Sequence, residues 1–283
     1  MTLDSAPSAS PRPPRREVLE GRLCILAALE ARLRTFEAVL VGEKAKPEKI
    51  DEVLAAAKRA GVAVRKVAAD ELDAAAHGKS HGGLVAIVGP RPTMSPGDFL
   101  SLVDALAPAA STVRAHAVRP YDVHGGPAFL LLLDGIEDDR NLGYTLRSAE
   151  ALGVHAVLVR RHAWDFDATE VSRASSGAFE RIPLVRIDRE SDLLPRLRER
   201  GIRICGGVPR AQKTLWEAYL GGPVCLAVGG EKRGLSAAVR SRCDRFITIP
   251  MKAGATSLSL SHAASILMAE VVRQRGQKAE GSR

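Results

Sequence analysis

A chain of 283 residues, 46% hydrophobic and 26% charged, is long enough to bury one large core or two modest ones, and two are expected. No apolar run approaches the ~20 residues that a membrane-spanning helix needs, which excludes an integral helical membrane protein, and the net charge of +8 favours a polyanionic partner such as nucleic acid. Four cysteines, Cys24, Cys205, Cys225 and Cys243, form no C-x-x-C pair and the seven histidines show no ligand spacing, so reduced thiols, a cytoplasmic location and no metal site are expected.

Residues 1–16 hold Pro, Ser and Arg with almost nothing apolar to bury, and a disordered tail is expected. Residues 17–90 then alternate. Helical periodicity covers Val18 to Arg32, followed by a strand Thr35 to Val41, a helix Pro47 to Ala60, a strand Val62 to Val67, a helix Ala69 to Ala76 and a strand Leu84 to Val88. The loop His77-Gly78-Lys79-Ser80-His81-Gly82-Gly83 offers glycines, a lysine and two histidines to an RNA phosphate or base. A plain flexible turn fits the same residues equally well.

Pro, Gly and Ser dominate the start of residues 91–126, which read as a linker with a short helix from Asp98 to Leu106. Ala128 to Asp134 is a continuous apolar run, as in strands buried on both faces. A loop follows through Gly143, then an amphipathic helix to Leu152, a strand Ala156 to Val159, a helix Ala168 to Ser176, a strand Ile182 to Ile187, a helix Ser191 to Arg200 and a strand Ile202 to Gly206. This alternation predicts a doubly wound parallel sheet with its ligand at the carboxyl ends of the strands. No G-x-G-x-x-G or Walker lysine follows Asp134, which disfavours a dinucleotide or nucleoside triphosphate.

The last quarter concentrates the chemistry. The apolar run Pro223 to Val228 enters the turn Gly229-Gly230-Glu231-Lys232-Arg233-Gly234, followed by a helix-prone stretch, Ser236 to Cys243. A second turn, Pro250 to Ser261, links a strand Arg245 to Ile249 to a helix His262 to Arg273, with residues 276–283 expected as a disordered tail. Turns of Gly, Pro and Ser offer main-chain N–H and C=O groups rather than charges, which suits a polar cofactor edge.

Three ordered segments, Asp134-Gly135 through Asn141-Leu142-Gly143 to Arg147-Ser148-Ala149, Gly229-Gly230-Glu231 to Gly234-Leu235, and Ile249-Pro250-Met251 to Ser257-Leu258-Ser259-Leu260-Ser261, resemble the motifs of the SpoU/TrmH family of SPOUT RNA methyltransferases. Ser175-Ser176-Gly177-Ala178 adds a further piece. The resemblance implies an α/β fold: a homodimeric parallel-sheet methyltransferase domain (residues 127–275) with a C-terminal trefoil knot. It is preceded by a small α/β RNA-binding domain similar to certain ribosomal proteins (residues 17–90). It implies S-adenosyl-L-methionine as cofactor, held largely by backbone at Gly229, Ile249 and Leu258 with Gly230 and Met251 beside them. Methyl transfer to a ribose 2′-hydroxyl, of ribosomal RNA before transfer RNA, would engage Arg147, Asn141, Glu231, Ser257 and Ser259. Lys79, His81 and Arg140 would contact RNA. A guanidinium does not readily lose its proton, so Arg147 is assigned to orienting the ribose and its phosphate. Glu231 would orient Arg147 or receive a proton through water. One departure stands out: the family usually carries Asn where this chain has Ser259, the single argument for a catalytically silent RNA-binding protein on the same fold.

Overall fold

The computed structural model describes residues 16–78, 81–106, 126–160, 166–188 and 192–280, and within them the strands form two sheets. The first is built from β1 (Glu17–Glu20), α1 (Arg22–Ala31), β2 (Phe36–Gly42), α2 (Pro47–Ala60), β3 (Val64–Val67), α3 (Ala69–Ala75) and β4 (Leu84–Val88), with strand order β1-β4-β2-β3. β1 and β2 run antiparallel to β4, and β3 runs parallel to β2. Along β2, Val39 and Val41 pack with Ile25 of α1 and Val53 of α2, while Ala38 and Leu40 face Leu72 of α3. The helix expected from Val18 is a strand for its first residues: pairing of Val18 and Leu19 with Ile87 and Ala86 outweighs the local helical period.

The second sheet carries α4 (Pro96–Ala105), β5 (Phe129–Asp134), α5 (Asp139–Ala151), β6 (Ala156–Arg160), α6 (Ala168–Ser175), α7 (Ala178–Arg181), β7 (Leu184–Arg186), α8 (Leu193–Glu199), β8 (Arg203–Gly207), β9 (Lys213–Thr214), β10 (Val224–Gly229), α9 (Ala237–Arg240), β11 (Arg245–Thr248) and α10 (Leu260–Glu280). Every paired strand in it is parallel, in the order β7-β6-β5-β10-β8-β11-β9. β5 shows why its sequence is apolar throughout. Phe129, Leu131 and Leu133 pack with Leu142 and Leu146 of α5 and Leu267 of α10, whereas Leu130 and Leu132 pack with Phe99 of α4 and Leu197 of α8.

Two expectations are corrected here. The short helix expected after residue 91 is α4; before it the backbone N–H of Met94 donates to Leu184 O at 2.8 Å, and Phe99, Leu102 and Val103 of α4 are buried under the second sheet. Residues 107–125 and most of the expected N-terminal tail lie outside the described residues. The segment Asp139 to Gly143 is helix rather than loop, because Asp138 caps α5 by accepting from the N–H of Asn141. Finally, α10 runs to Glu280, into the segment expected as a C-terminal tail.

The two sheets meet at a buried seam. Arg34 donates to both carboxylate oxygens of Glu180, at 2.8 and 3.0 Å, and to Glu17; the side chains of Arg34 and Glu180 are 0% exposed. Thr169 Oγ1 donates to Val18 O at 2.8 Å, and Phe179 lies under the guanidinium groups of both Arg34 and Arg91. A Cβ on Gly177 would come within 2.7 Å of Ala27 Cβ and 2.9 Å of Leu23 O. The Ser175-Ser176-Gly177-Ala178 segment thus admits α1 at contact distance.

Candidate active site

The carboxyl ends of β8, β10 and β11 and the start of α10 enclose a cavity of about 460 Å³, within the ~300–1,000 Å³ usual for small-molecule sites. Its walls include Val228, Ile247, Ile249, Leu260 and Leu267, and its rim the turns 229–235 and 256–258. Glu231 is the one acidic residue among the lining groups, which also include the basic Lys232, Arg233 and Arg240.

The first turn is shaped by close backbone approach. A Cβ at Gly229 would sit 2.1 Å from the carbonyl carbon of Gly234, and one at Gly230 would sit 2.3 Å from Gly135 O. The Gly230 N–H donates to Asp134 O, and the Gly234 N–H returns to Gly230 O, each at 2.8 Å. Asp134, only 2% exposed, anchors the far side of the turn: its carboxylate accepts from the Ser236 N–H at 2.6 Å and from Arg160 Nη1 at 2.8 Å. Of this anchor only Asp134 was part of a recognised motif; Arg160, 26 residues on, carries no local signal of its partnership.

Beside the cavity, three motifs join through one side chain. Asn141, in the first turn of α5, donates through Nδ2 to Glu231 Oε1 at 2.9 Å and accepts at Oδ1 from Ser261 Oγ at 3.0 Å. Ser261 Oγ lies 3.1 Å from Ser259 Oγ, which in turn lies 2.5 Å from His262 Nδ1. One turn further, Ser265 Oγ donates to Ser148 Oγ at 2.9 Å. His262 was not foreseen; its only cue is spacing, since Ser259 caps α10 and accepts from the His262 N–H three residues on.

Of the anticipated cofactor contacts, Gly229, Gly230, Ile249, Met251 and Leu258 all line the cavity, as does Ser257, which is exposed on the second turn. Arg147 is exposed on α5 and, among the described residues, forms no hydrogen bond or ion pair. Glu231 takes the Asn141 amide, and among the described residues no bond joins it to Arg147, further along α5. His81 is 9% exposed and engaged at both ring nitrogens, by Asp73 Oδ1 at 2.8 Å and by the Gly83 N–H at 3.2 Å, so its side chain braces the loop. Arg140 is solvent-facing, paired with Glu170 at 3.3 Å, and Lys79 lies outside the described residues. Burial pushes the thiols of Cys205 and Cys243 up to about 11 and raises those of Cys24 and Cys225, which removes all four from nucleophilic roles. Among the described residues no helix is long and apolar enough to cross a membrane.

Comparison with known proteins agrees with this geometry. Residues 128–269 match the SpoU rRNA Methylase family, and residues 18–94 match the RNA 2′-O ribose methyltransferase substrate-binding family. The chain is 31% identical over 263 residues to the 23S rRNA (guanosine-2′-O-)-methyltransferase RlmB of Yersinia pestis, covering 93% of this chain and 99% of the relative. A crystal structure of an RNA 2′-O ribose methyltransferase is 30% identical with a TM-score of 0.69, covering 92% of this chain and 89% of that one. The SpoU methyltransferase AviRb of Streptomyces viridochromogenes, solved in complex with the cofactor AdoMet, shares the fold at 23% identity and a TM-score of 0.70, over 93% and 91% of the two chains. With both regions matched over nearly their whole length and the three motifs joined at one cavity, the chain belongs to the SpoU rRNA methylase family.

Proposed function

We propose that this chain is an S-adenosylmethionine-dependent methyltransferase that modifies a ribose 2′-hydroxyl of 23S ribosomal RNA, a guanosine by analogy with the relative named above. The observation that carries it is the bridge of Asn141 between Glu231 and Ser261, which brings all three motifs to the mouth of one cavity. The cavity suits the cofactor: apolar walls for an adenosine, free main-chain groups at two turns, a single carboxylate, Glu231, for positive charge, and Lys232, Arg233 and Arg240 for a carboxylate. When bound, S-adenosylmethionine supplies an electrophilic methyl group, so the protein has chiefly to align the acceptor and accept its proton. Arg147, unpaired and exposed, is available to hold a ribose phosphate.

The remaining parts of the reading follow from surface and path. Residues 17–90 select the RNA and residues 127–275 carry the transfer. Tyr144 of α5 and Ile266 and Val272 of α10 are 49%, 38% and 40% exposed on two helices packed together, an apolar face that suits a homodimer. The trefoil knot and a cytoplasmic location, where ribosomal RNA is modified, complete the assignment. The test is transfer of labelled methyl from S-adenosylmethionine to unmodified ribosomal and transfer RNA, followed by nuclease digestion and nucleoside identification. A 2′-O-methylguanosine from the 23S pool is expected; no transfer together with no cofactor binding would overturn the reading, and label in the transfer RNA pool alone would move it to the other substrate.

A further inference from the structure

The relay beside the cavity ends on an imidazole that the chemistry above does not use. Ser259 Oγ stands 2.5 Å from His262 Nδ1 and 3.1 Å from Ser261 Oγ, and Ser261 Oγ donates to Asn141 Oδ1 at 3.0 Å. A hydroxyl carries one proton. With Nδ1 unprotonated, Ser259 gives its proton to His262 and Ser261 gives its own to Asn141, so the Ser259–Ser261 approach contains no proton. Once Nδ1 is protonated, the imidazole donates to Ser259, and Ser259 is free to donate to Ser261. Every link from His262 to Glu231 then becomes a hydrogen bond, and such chains strengthen one another. A proton on His262 Nδ1 completes the relay.

Glu231, at the other end, is a poor recipient by this route. It is reached only through the Asn141 amide, whose N–H it already accepts and which cannot hand on a proton without becoming an imidic acid. The charged and titratable groups on the elements packed around His262 are Asp139, Arg140, Tyr144, Arg147 and Glu150 of α5, Glu231, Lys232 and Arg233 of the turn after β10, and Lys252 before α10. Of these, Glu231 is bonded to the relay through Asn141. His262 is exposed, so solvent can remove the proton after each turnover.

We propose that His262, acting through Ser259, is the proton acceptor for the ribose 2′-hydroxyl; this rests on the methyl-transfer reading above. The bond between the ribose oxygen and the methyl carbon forms as the methyl–sulfur bond breaks, and that electron pair stays on sulfur. The hydroxyl proton passes to Ser259 Oγ while Ser259 passes its own to His262 Nδ1. The exchange of the family's usual Asn for Ser259 gains its meaning here. An amide at that place holds a geometry, whereas a hydroxyl beside an imidazole moves a proton.

Two readouts on the full-length protein test this. In single-turnover transfer to unmodified ribosomal RNA, the wild-type rate is expected to fall as pH drops through the range in which imidazoles titrate. His262→Asn and Ser259→Asn should each lose about 10²-fold in rate, in line with general-base catalysis, and lose that acid limb, with S-adenosylmethionine affinity within twofold of wild type. In ligand-free protein, the ¹⁵N signal of His262 Nδ1 is expected to report a hydrogen bond to Ser259 that is lost in Ser259→Ala. An unchanged rate and acid limb in His262→Asn, or an Nδ1 signal unaltered in Ser259→Ala, would overturn the proposal. A wild-type protein that binds the cofactor but methylates no RNA would instead strike the methyl-transfer reading, and the proton acceptor with it.

Discussion

At the seam between the sheets, the side chains of Arg34 and Glu180 are wholly buried and bonded to each other twice, whereas Glu231 and Lys232 at the mouth of the cavity and Arg147 on α5 are exposed. Both regions are rich in charge, yet the charges do different work because one is buried and the other exposed. A buried guanidinium loses its hydration and must recover it from its partners, so the geometry at Arg34 is fixed by Glu180, Glu17 and the Gly89 carbonyl. Desolvation alone would lower the Arg34 pKa, but the hydrogen bonds and charges of Glu180 and Glu17 raise it, and the group stays cationic. In solvent the same kind of group needs no partner, and Arg147 is left available for a ligand.

The sharpest test of this contrast is Arg34→Ala, which strands the Glu180 carboxylate in the seam and is expected to lower stability by about 3–5 kcal/mol in urea denaturation. Arg34→Met combined with Glu180→Leu should recover much of that loss; a single substitution worth under ~1 kcal/mol would mean that water reaches the seam. Arg147→Ala is the converse. Methyl transfer should drop by about 10²-fold or more, as when a transition-state donor is removed, with stability within ~0.5 kcal/mol of wild type; full transfer activity would end the assignment of Arg147 to the acceptor.

Smaller effects follow at the glycine turn. Gly229→Val drives a side chain into the Gly234 backbone and should lower stability by roughly 1–3 kcal/mol and weaken S-adenosylmethionine binding at least tenfold by calorimetry. Unchanged affinity would show that the turn does not shape the cofactor site. Lys232→Ala breaks a 2.7 Å pair with Glu137 that is exposed on both sides, so the change in stability should stay under ~1 kcal/mol. Least of all should happen with a thiol reagent at pH 7.5. With the Cys205 and Cys243 thiols held near 11, the folded protein contains less thiolate than the unfolded chain, and fast labelling should appear only on denaturation.

Local pattern by itself determined a good part of this protein. The apolar run of β5, the bounds of α2 and β4, the alternation that gives a parallel sheet and the two glycine- and serine-marked turns were all legible, because each depends on neighbours a few residues apart. Cofactor-lining positions were legible for the same reason: main-chain groups are exposed wherever glycines force a tight turn after a strand. Tertiary structure alone decided the rest. β1 is a strand because β4 pairs with it, and Gly177 matters because α1 rests on it. Glu231 bonds to Asn141 across 90 residues of sequence and Ser261 across 120, so no local spacing could have preferred Asn141 to Arg147 as the partner of Glu231. His262 shows the division within one motif: its position beside the capping Ser259 was written in the sequence, but its attachment to a relay reaching Glu231 exists only once β10, α5 and α10 converge on the same cavity.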